Sequence, residues 1–423
     1  MKKNNFGLIM ESWRGFKTLL NEKKAPIQAR NFDQALNIFK QQMAENQTQL
    51  IFFDTETTGL QTFQSLPYRR VNQVTEIAAV VVDASKLFSL PYEEVMATEV
   101  GDKNGLIIDS FQQRINLNPE TIEGLKLETE FIDWLKSLPP ERVPTKVGKD
   151  QKVRPMFRES EPDFMTTNQI FAMTNYKPNP EDRSQEEEGL YITHKNAVER
   201  FVQFCEKFPN RQLVAQNAGF DVRFMNAAFK KEGIEVPDDE VIDTLDYFKL
   251  FLQNVIDRYK VALQSANQEL SDEEGKELEK KGSKLGLSTE AEYETLRQRF
   301  KESDQEKRNV ILNINNSKLK TISDAFGIHS ERHHEAIADV IMLFKSLRAV
   351  IHFLEQEDEA FKIILEEPKP ELSPEQQAAK TAKDRERYRS EDQKIKDALK
   401  NAGAFDWEQQ RIQESKIRIR IKR

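Results

Sequence analysis

The spacing of hydrophobic and polar positions changes several times along the chain, and each change marks an element. Gln49-Leu50-Ile51-Phe52-Phe53-Asp54 is a short apolar run, the pattern of a strand buried on both faces. Thr75 to Asp83, centred on Ile77-Ala78-Ala79-Val80-Val81-Val82, predicts a second strand, and Phe111 to Leu117 predicts a third. Val198, Phe201, Val202, Cys205 and Phe208 recur at helical spacing and lead into a short strand, Gln212-Leu213-Val214-Ala215. Strand, helix and strand at these lengths predict an α/β sheet. A helix carrying Leu319, Ile322 and Phe326 stops at Gly327. A last sheet-covering helix holds Ala336, Val340, Leu343, Leu347 and Val350.

Other segments lie outside this pattern. Trp13, Phe16 and Leu20, then Phe32, Leu36 and Phe39 beyond Ala25-Pro26, predict an N-terminal helical leader over 1–48, which either caps the main domain, the favoured reading, or docks a partner. The main domain runs over 49–353 with polar insertions at about 118–165 and 177–190. Leu245, Phe248, Leu252, Val255, Tyr259 and Ala262 alternate three and four apart, the seam of a coiled coil. With Tyr293, Leu296 and Phe300 they predict a long helical insertion over 249–316, an exposed hairpin or arm rather than a packed domain. Pro368, Pro370 and Pro374 mark a linker, and 354–423 ends in a charged helical tail with a basic patch at Lys416–Arg423.

Composition narrows the function. Of 423 residues, 63 are Lys or Arg and 71 Asp or Glu, a net charge of −8. That total argues against a protein that coats nucleic acid through a global basic field. It leaves room for an enzyme that meets one phosphate at a time through metal ions. With 38% hydrophobic and 32% charged residues, part of the chain is exposed helix, linker or tail. The single cysteine, Cys205, rules out an intrachain disulfide and a zinc site built on a cysteine cluster. No apolar run approaches the roughly 20 residues of a membrane span, and Phe6-Gly7-Leu8-Ile9-Met10 is too short for a signal segment. The expectation is a soluble, cytoplasmic protein of a reducing compartment with no membrane partner.

Asp54-Thr55-Glu56-Thr57-Thr58-Gly59-Leu60 closes the first strand. Positions i and i+2 of a strand point the same way, so Asp54 and Glu56 present two carboxylates side by side. Such a pair after a buried run calls for neutralisation, and carboxylate oxygens suit Mg²⁺ or Mn²⁺. Gly59 lets backbone approach a ligand closely. A bare Asp-x-Glu also fits a polar strand exit with no ligand. Asp221, at the end of Gln216-Asn217-Ala218-Gly219-Phe220-Asp221, alone reads as a helix N-cap. Asp339 falls on or beside the apolar stripe of its helix, where a carboxylate needs a partner. On one continuous helix His334 and Asp339 would diverge by about 140°, so His334 serves the same site only from the loop or first turn before the helix. Its reference pKa near 6.5 suits proton abstraction at neutral pH.

Asp-Thr-Glu-Thr-Thr-Gly-Leu, Asn-Ala-Gly-Phe-Asp and His-x-Ala-x-x-Asp, in this order, resemble the three motifs of the DEDDh 3′–5′ exonucleases. This is the proofreading-subunit (DnaQ-like) family within the ribonuclease H-like fold. The resemblance spans about 49–117, 165–248 and 317–353, with Thr75-Glu76-Ile77-Ala78, Val241–Leu245 and Leu319–Ile328 as supporting stretches. It implies a mixed central sheet flanked by helices. It also implies two divalent metal ions, Mg²⁺ or Mn²⁺, held by Asp54, Glu56, Asp221 and Asp339. His334 would be the general base, ahead of its neighbour His333. Thr57, Thr58, Gly59 and Leu60 would line the pocket of the 3′-terminal nucleotide, with Asn217 and Phe220 supporting the second motif. In place of the Gly-Ile-Thr turn the family often carries before that motif, this chain has Thr174-Asn175-Tyr176.

The implied activity is hydrolysis at a nucleic-acid 3′ end with release of nucleoside monophosphates, single-stranded DNA favoured. An RNA-trimming exoribonuclease and a non-catalytic nucleic-acid or replication scaffold of the same fold are the rival readings. The leader, helical arm and basic tail are candidate surfaces for a replication partner or for self-association.

Overall fold

The computed structural model describes residues 49–59, 72–147, 153–155, 167–234, 241–266, 272–285, 287, 289–330, 334–356 and, nearer the C-terminus, 382, 386, 389–390, 393–394 and 396–404. The leader over 1–48, Leu60, His333 and the basic patch lie outside the described residues.

Strand β1 (Gln49–Thr57) follows the apolar run, with Leu50, Ile51 and Phe52 fully buried, and β2 (Val74–Asp83) is buried from Val74 through Val82. Short helices α1 (Ala84–Ser89) and α2 (Tyr92–Ala97) lead to β3 (Ile107–Ile115). This third strand starts earlier than the expected Phe111, because its first half is only partly covered. Exposed Ile108 and the polar Asp109 and Ser110 hide it from a search for apolar runs. Beyond it come α3 (Pro119–Ser137), the antiparallel hairpin β4 (Thr145–Val147) and β5 (Val153–Pro155), α4 (Thr167–Met173), α5 (Gln185–Leu190) and β6 (Tyr191–Ile192). The chain continues through α6 (His194–Glu206), β7 (Arg211–Ala215), α7 (Ala218–Glu232) and β8 (Val241–Asp243).

The main sheet has six strands in the order β6-β3-β2-β1-β7-β8. β1 runs parallel to β7, with Gln49 opposite Arg211 and Phe52 opposite Val214, and β7 runs parallel to β8. It is a mixed, helix-flanked six-stranded sheet of the kind the motifs implied.

The described residues form two compact units. The first takes those within Met1–Thr55, Glu76–Gln113 and Lys195–Glu367, and the second those within Glu56–Thr75, Arg114–His194 and Pro368–Arg423. In the first unit β1 is covered on both faces. Phe52 meets Phe344 at 6.0 Å between ring centroids, and Phe53 meets Phe201 of α6 at 6.0 Å.

Also in the first unit, the inserted segment is α8 (Thr244–Phe251), a π-helical turn at Leu252–Ile256, α9 (Asp257–Gln264), α10 (Asp272–Lys284), α11 (Glu290–Glu302) and α12 (Gln305–Asn313). α13 (Leu319–Ala325) and α14 (Ala336–Glu355) follow. The insertion is not an exposed arm: Phe248, Phe251, Tyr259, Val310 and Ile311 are buried in one cluster with Val340, Phe344 and Leu347 of α14. The predicted seam reports only part of the apolar surface, since Phe251, Ile256 and Val261 are buried as well.

In the second unit Phe131 and Leu135 of α3 pack with Leu399 and Ala404, so the charged tail includes a buried patch. Among the described residues no helix is long and apolar enough to cross a membrane.

Candidate metal centre

The C-terminal half of β1 carries Asp54, Thr55 and Glu56, with Thr55 buried and the two acids partly exposed. Thr55 gives its backbone N–H (3.0 Å) and its hydroxyl (2.6 Å) to Oδ1 of Asp221. Asp221 is not the N-cap of α7. That position belongs to Asn217, in the left-handed conformation at φ 57°, and Asp221 sits in the first turn with 1% exposure. Burial pushes its carboxyl up to about 7. The Thr55 donors pull the other way, and the nearby charge of Asp243 adds to the rise.

His334 and Asp339 meet as the spacing required. α14 begins at Ala336, so His334 lies in the turn before it, at φ 73°. Its backbone N–H points at Oδ1 of Asp339, 3.5 Å away. Asp339 is buried in the first turn of α14, and its own N–H donates to the carbonyl of Glu335 (3.1 Å). Glu56 lies on the same continuous strand as Asp54 and Thr55. Carboxylates and an imidazole are donors suited to a divalent cation such as Mg²⁺ or Mn²⁺. Asp221 is linked to the strand through Thr55, between Asp54 and Glu56.

Around the turn after β1, Thr57 donates its hydroxyl to the Gly59 carbonyl (3.3 Å). Thr58 is clamped to Gln73: its N–H donates to the Gln73 carbonyl (2.9 Å), and its hydroxyl oxygen accepts the Gln73 N–H (2.9 Å). The Gln73 carboxamide donates to the Asn116 carbonyl (2.8 Å) and accepts from the Asn118 N–H (2.9 Å) and the Thr121 hydroxyl (3.1 Å). Asn217 offers its backbone N–H to Oδ1 of Asp243 (2.8 Å), and Phe220 packs on Phe224 at 4.8 Å.

Sequence reasoning did not single out Thr55, Gln73 or Asp243. The available signals were a hydroxyl residue between two acids on a strand, and an Asp that closes a short strand and caps the following helix.

No protein-family model matches the chain. A stretch of 48 residues, 11% of the chain, is 48% identical to DNA polymerase III PolC-type of Bacillus cereus, and it covers 3% of that protein. Among solved structures, E. coli exonuclease I in complex with a dT13 oligonucleotide aligns at 13% identity and a TM-score of 0.33, over 72% of this chain and 41% of that one. The zinc-bound form of the E. coli ExoI–ssDNA complex gives 13% identity and 0.33, over 73% and 41%. The chain thus spans about two-fifths of the length of those structures. The ordered motifs and the strand order together set the likeness. The chain resembles the DnaQ-like exonuclease family.

Set beside the DnaQ-like pattern, the departure at Thr174-Asn175-Tyr176 has a direct physical reading. Asn175 takes φ 50° after α4, and the Tyr176 N–H closes the turn on the Phe171 carbonyl (2.9 Å). Asparagine is among the few residues besides glycine that visit the left-handed region at low cost, so it makes this turn without a glycine. Tyr176 then stacks between Phe171 (4.8 Å) and Tyr191 (5.4 Å), and its hydroxyl donates to the Ile115 carbonyl (2.6 Å).

Proposed function

We propose that the protein is a metal-dependent 3′–5′ exonuclease that hydrolyses phosphodiester bonds at the 3′ end of nucleic acid and releases nucleoside monophosphates. The observation that carries this reading is the tie of Asp221 to Thr55, which stands between Asp54 and Glu56 on β1, with His334 in the turn before the helix that presents Asp339. Asp54, Glu56, Asp221 and Asp339 would hold two divalent ions, which when bound supply charge neutralisation on the phosphate and a more acidic water. His334, placed before α14, takes the proton from the attacking water, a contribution of about 10²–10⁴-fold. Thr57, Thr58, Gly59 and Leu60 bind the terminal nucleotide, and Gln73 fixes the shape of that turn through Thr58. Asn217 and Phe220 support the start of α7, the helix that carries Asp221 into place. DNA is the favoured polymer, because the matching stretch of PolC-type DNA polymerase is that of a DNA-copying enzyme. A cytoplasmic location accompanies this reading.

The experiment is a panel of 3′-labelled oligonucleotides, DNA and RNA, single- and double-stranded, with Mn²⁺, Mg²⁺ or EDTA. The expected result is metal-dependent release of labelled mononucleotide, fastest from single-stranded DNA. Faster release from RNA would assign the chain to RNA trimming. Binding without release in any arm would leave a non-catalytic scaffold and overturn the proposal.

A further inference from the structure

The helical insertion leaves the sheet at Thr244 and returns at Ser317, and both ends meet one side chain. Thr244, fully buried, donates its hydroxyl to Oε1 of Gln216 at 2.6 Å, with the Ala215 carbonyl at 3.1 Å. A hydroxyl has one proton, and the shorter contact gives the stronger bond to Gln216. On the other side Gln216 donates Nε2–H to the backbone carbonyl of Ser317 (3.1 Å). The adjacent residue is held from the same root: Oδ1 of Asp243 accepts the Asn217 N–H (2.8 Å) and the Leu245 N–H (2.9 Å), the second bond capping α8.

Ala215, Gln216 and Asn217 form the short link between β7 and α7, and α7 presents Asp221 one turn later. No side chain caps α7, so its entry is set by the left-handed Asn217 and by the bonds from the two ends of the insertion. The insertion packs through Phe251, Tyr259 and Tyr293 into the same buried cluster as α14. Its seating in that cluster therefore bears on the link through Gln216, Thr244 and Asp243.

We propose that Gln216 is a positioning residue that couples the seating of the helical insertion to the placement of Asp221. The inference rests on the reading of Asp221 as a metal-holding acid. Outer-layer hydrogen-bond partners of metal-holding groups commonly contribute about 10–100-fold in affinity or activity.

The test uses the full chain and four variants: Gln216→Ala, Gln216→Glu, Thr244→Val and Thr244→Ser. Three quantities are measured: kcat and KM on a single-stranded oligonucleotide, Mn²⁺ Kd by calorimetry, and Tm. Gln216→Ala is expected to lower kcat by about tenfold and raise the Mn²⁺ Kd by about fivefold, with KM within about twofold of the parent. Thr244→Val should give a smaller defect of the same kind, and Thr244→Ser should match the parent. Combining Gln216→Ala with Thr244→Val should be no worse than Gln216→Ala alone, because both remove the Thr244–Gln216 bond. Gln216→Glu keeps the acceptor for Thr244, loses the donor to Ser317 and should fall between. The proposal is overturned if Gln216→Ala changes Tm alone, with kcat and Mn²⁺ Kd within twofold of the parent. Should Gln216→Ala not fold, the Thr244→Val against Thr244→Ser comparison decides by the same readouts. A parent that binds Mn²⁺ but releases no nucleotide removes the nuclease reading, and the Mn²⁺ Kd series still tests the coupling. A parent that binds no Mn²⁺ removes both.

Discussion

Thr55 gives both of its donors to a single oxygen of Asp221, the N–H at 3.0 Å and the hydroxyl at 2.6 Å. The residue between the two acids of the first motif thereby fixes the acid of the second. Thr55→Val keeps the backbone N–H and removes the hydroxyl at nearly constant volume. A hydrogen bond to a buried carboxylate contributes about 1.5–3 kcal/mol, so Tm should fall by several degrees and the hydrolysis rate by about tenfold. Thr55→Ser should behave as the parent. Thermal melts and initial rates on one set of preparations check this, and equal rates for Val and parent would contradict it.

The raised carboxyl of Asp221 makes the metal-free protein sensitive to pH. The ordinary value for this group, which the unfolded chain keeps, is 3.8, and burial pushes it up to about 7 in the folded chain. Between those values the folded state keeps a proton that the unfolded state has released. Its stabilising contribution is complete below the lower value and is lost as pH rises through about 7. In EDTA, the parent should lose Tm relative to Asp221→Asn between pH 5 and pH 8. Parallel pH profiles for the two proteins would show that burial of this carboxyl is not the cause.

His334 and Asp339 share one turn but carry different tasks in the proposed reaction. Asp339→Ala should weaken Mn²⁺ binding by more than about tenfold and abolish release of nucleotide. His334→Ala should leave the Mn²⁺ Kd within about threefold while lowering kcat by about 10²–10⁴-fold. Calorimetry alongside steady-state kinetics separates them. A comparable loss of Mn²⁺ affinity in both would make His334 a ligand rather than the base.

Asn175 carries a conformational load that is independent of the acids. Its φ of 50° suits Asn or Gly and not a β-branched residue. Asn175→Gly should stay within about 0.5 kcal/mol of the parent, and Asn175→Val should cost about 1–2 kcal/mol or more in denaturant unfolding. No difference between the two variants would mean that the turn is not held in this conformation.

The buried strands and the candidate acids stood out in the sequence because each leaves a local mark. β1 and β2 are continuous apolar runs, and Glu56, Asp221, His334 and Asp339 belong to ordered short motifs. What escaped reading depends on contacts distant in number. β3 is half polar, so Ile107 to Ser110 show no strand period. The two residues of β6 are too short to leave any pattern. The insertion looked like an arm because its seam resembles a coiled coil, while its burial against Val340 and Phe344 is set by tertiary packing. The part of Thr55 lay hidden for the same reason, since its partner Asp221 is 166 positions away.

The central claim is that Asp54, Glu56, Asp221 and Asp339 act together as one metal-holding group. The most direct measurement is the rate at which the parent and Asp54→Ala release label from a 3′-labelled single strand in Mn²⁺, with folding of both checked by circular dichroism. The account predicts rapid release by the parent and none above background by a folded Asp54→Ala. Equal rates from the two proteins would contradict it.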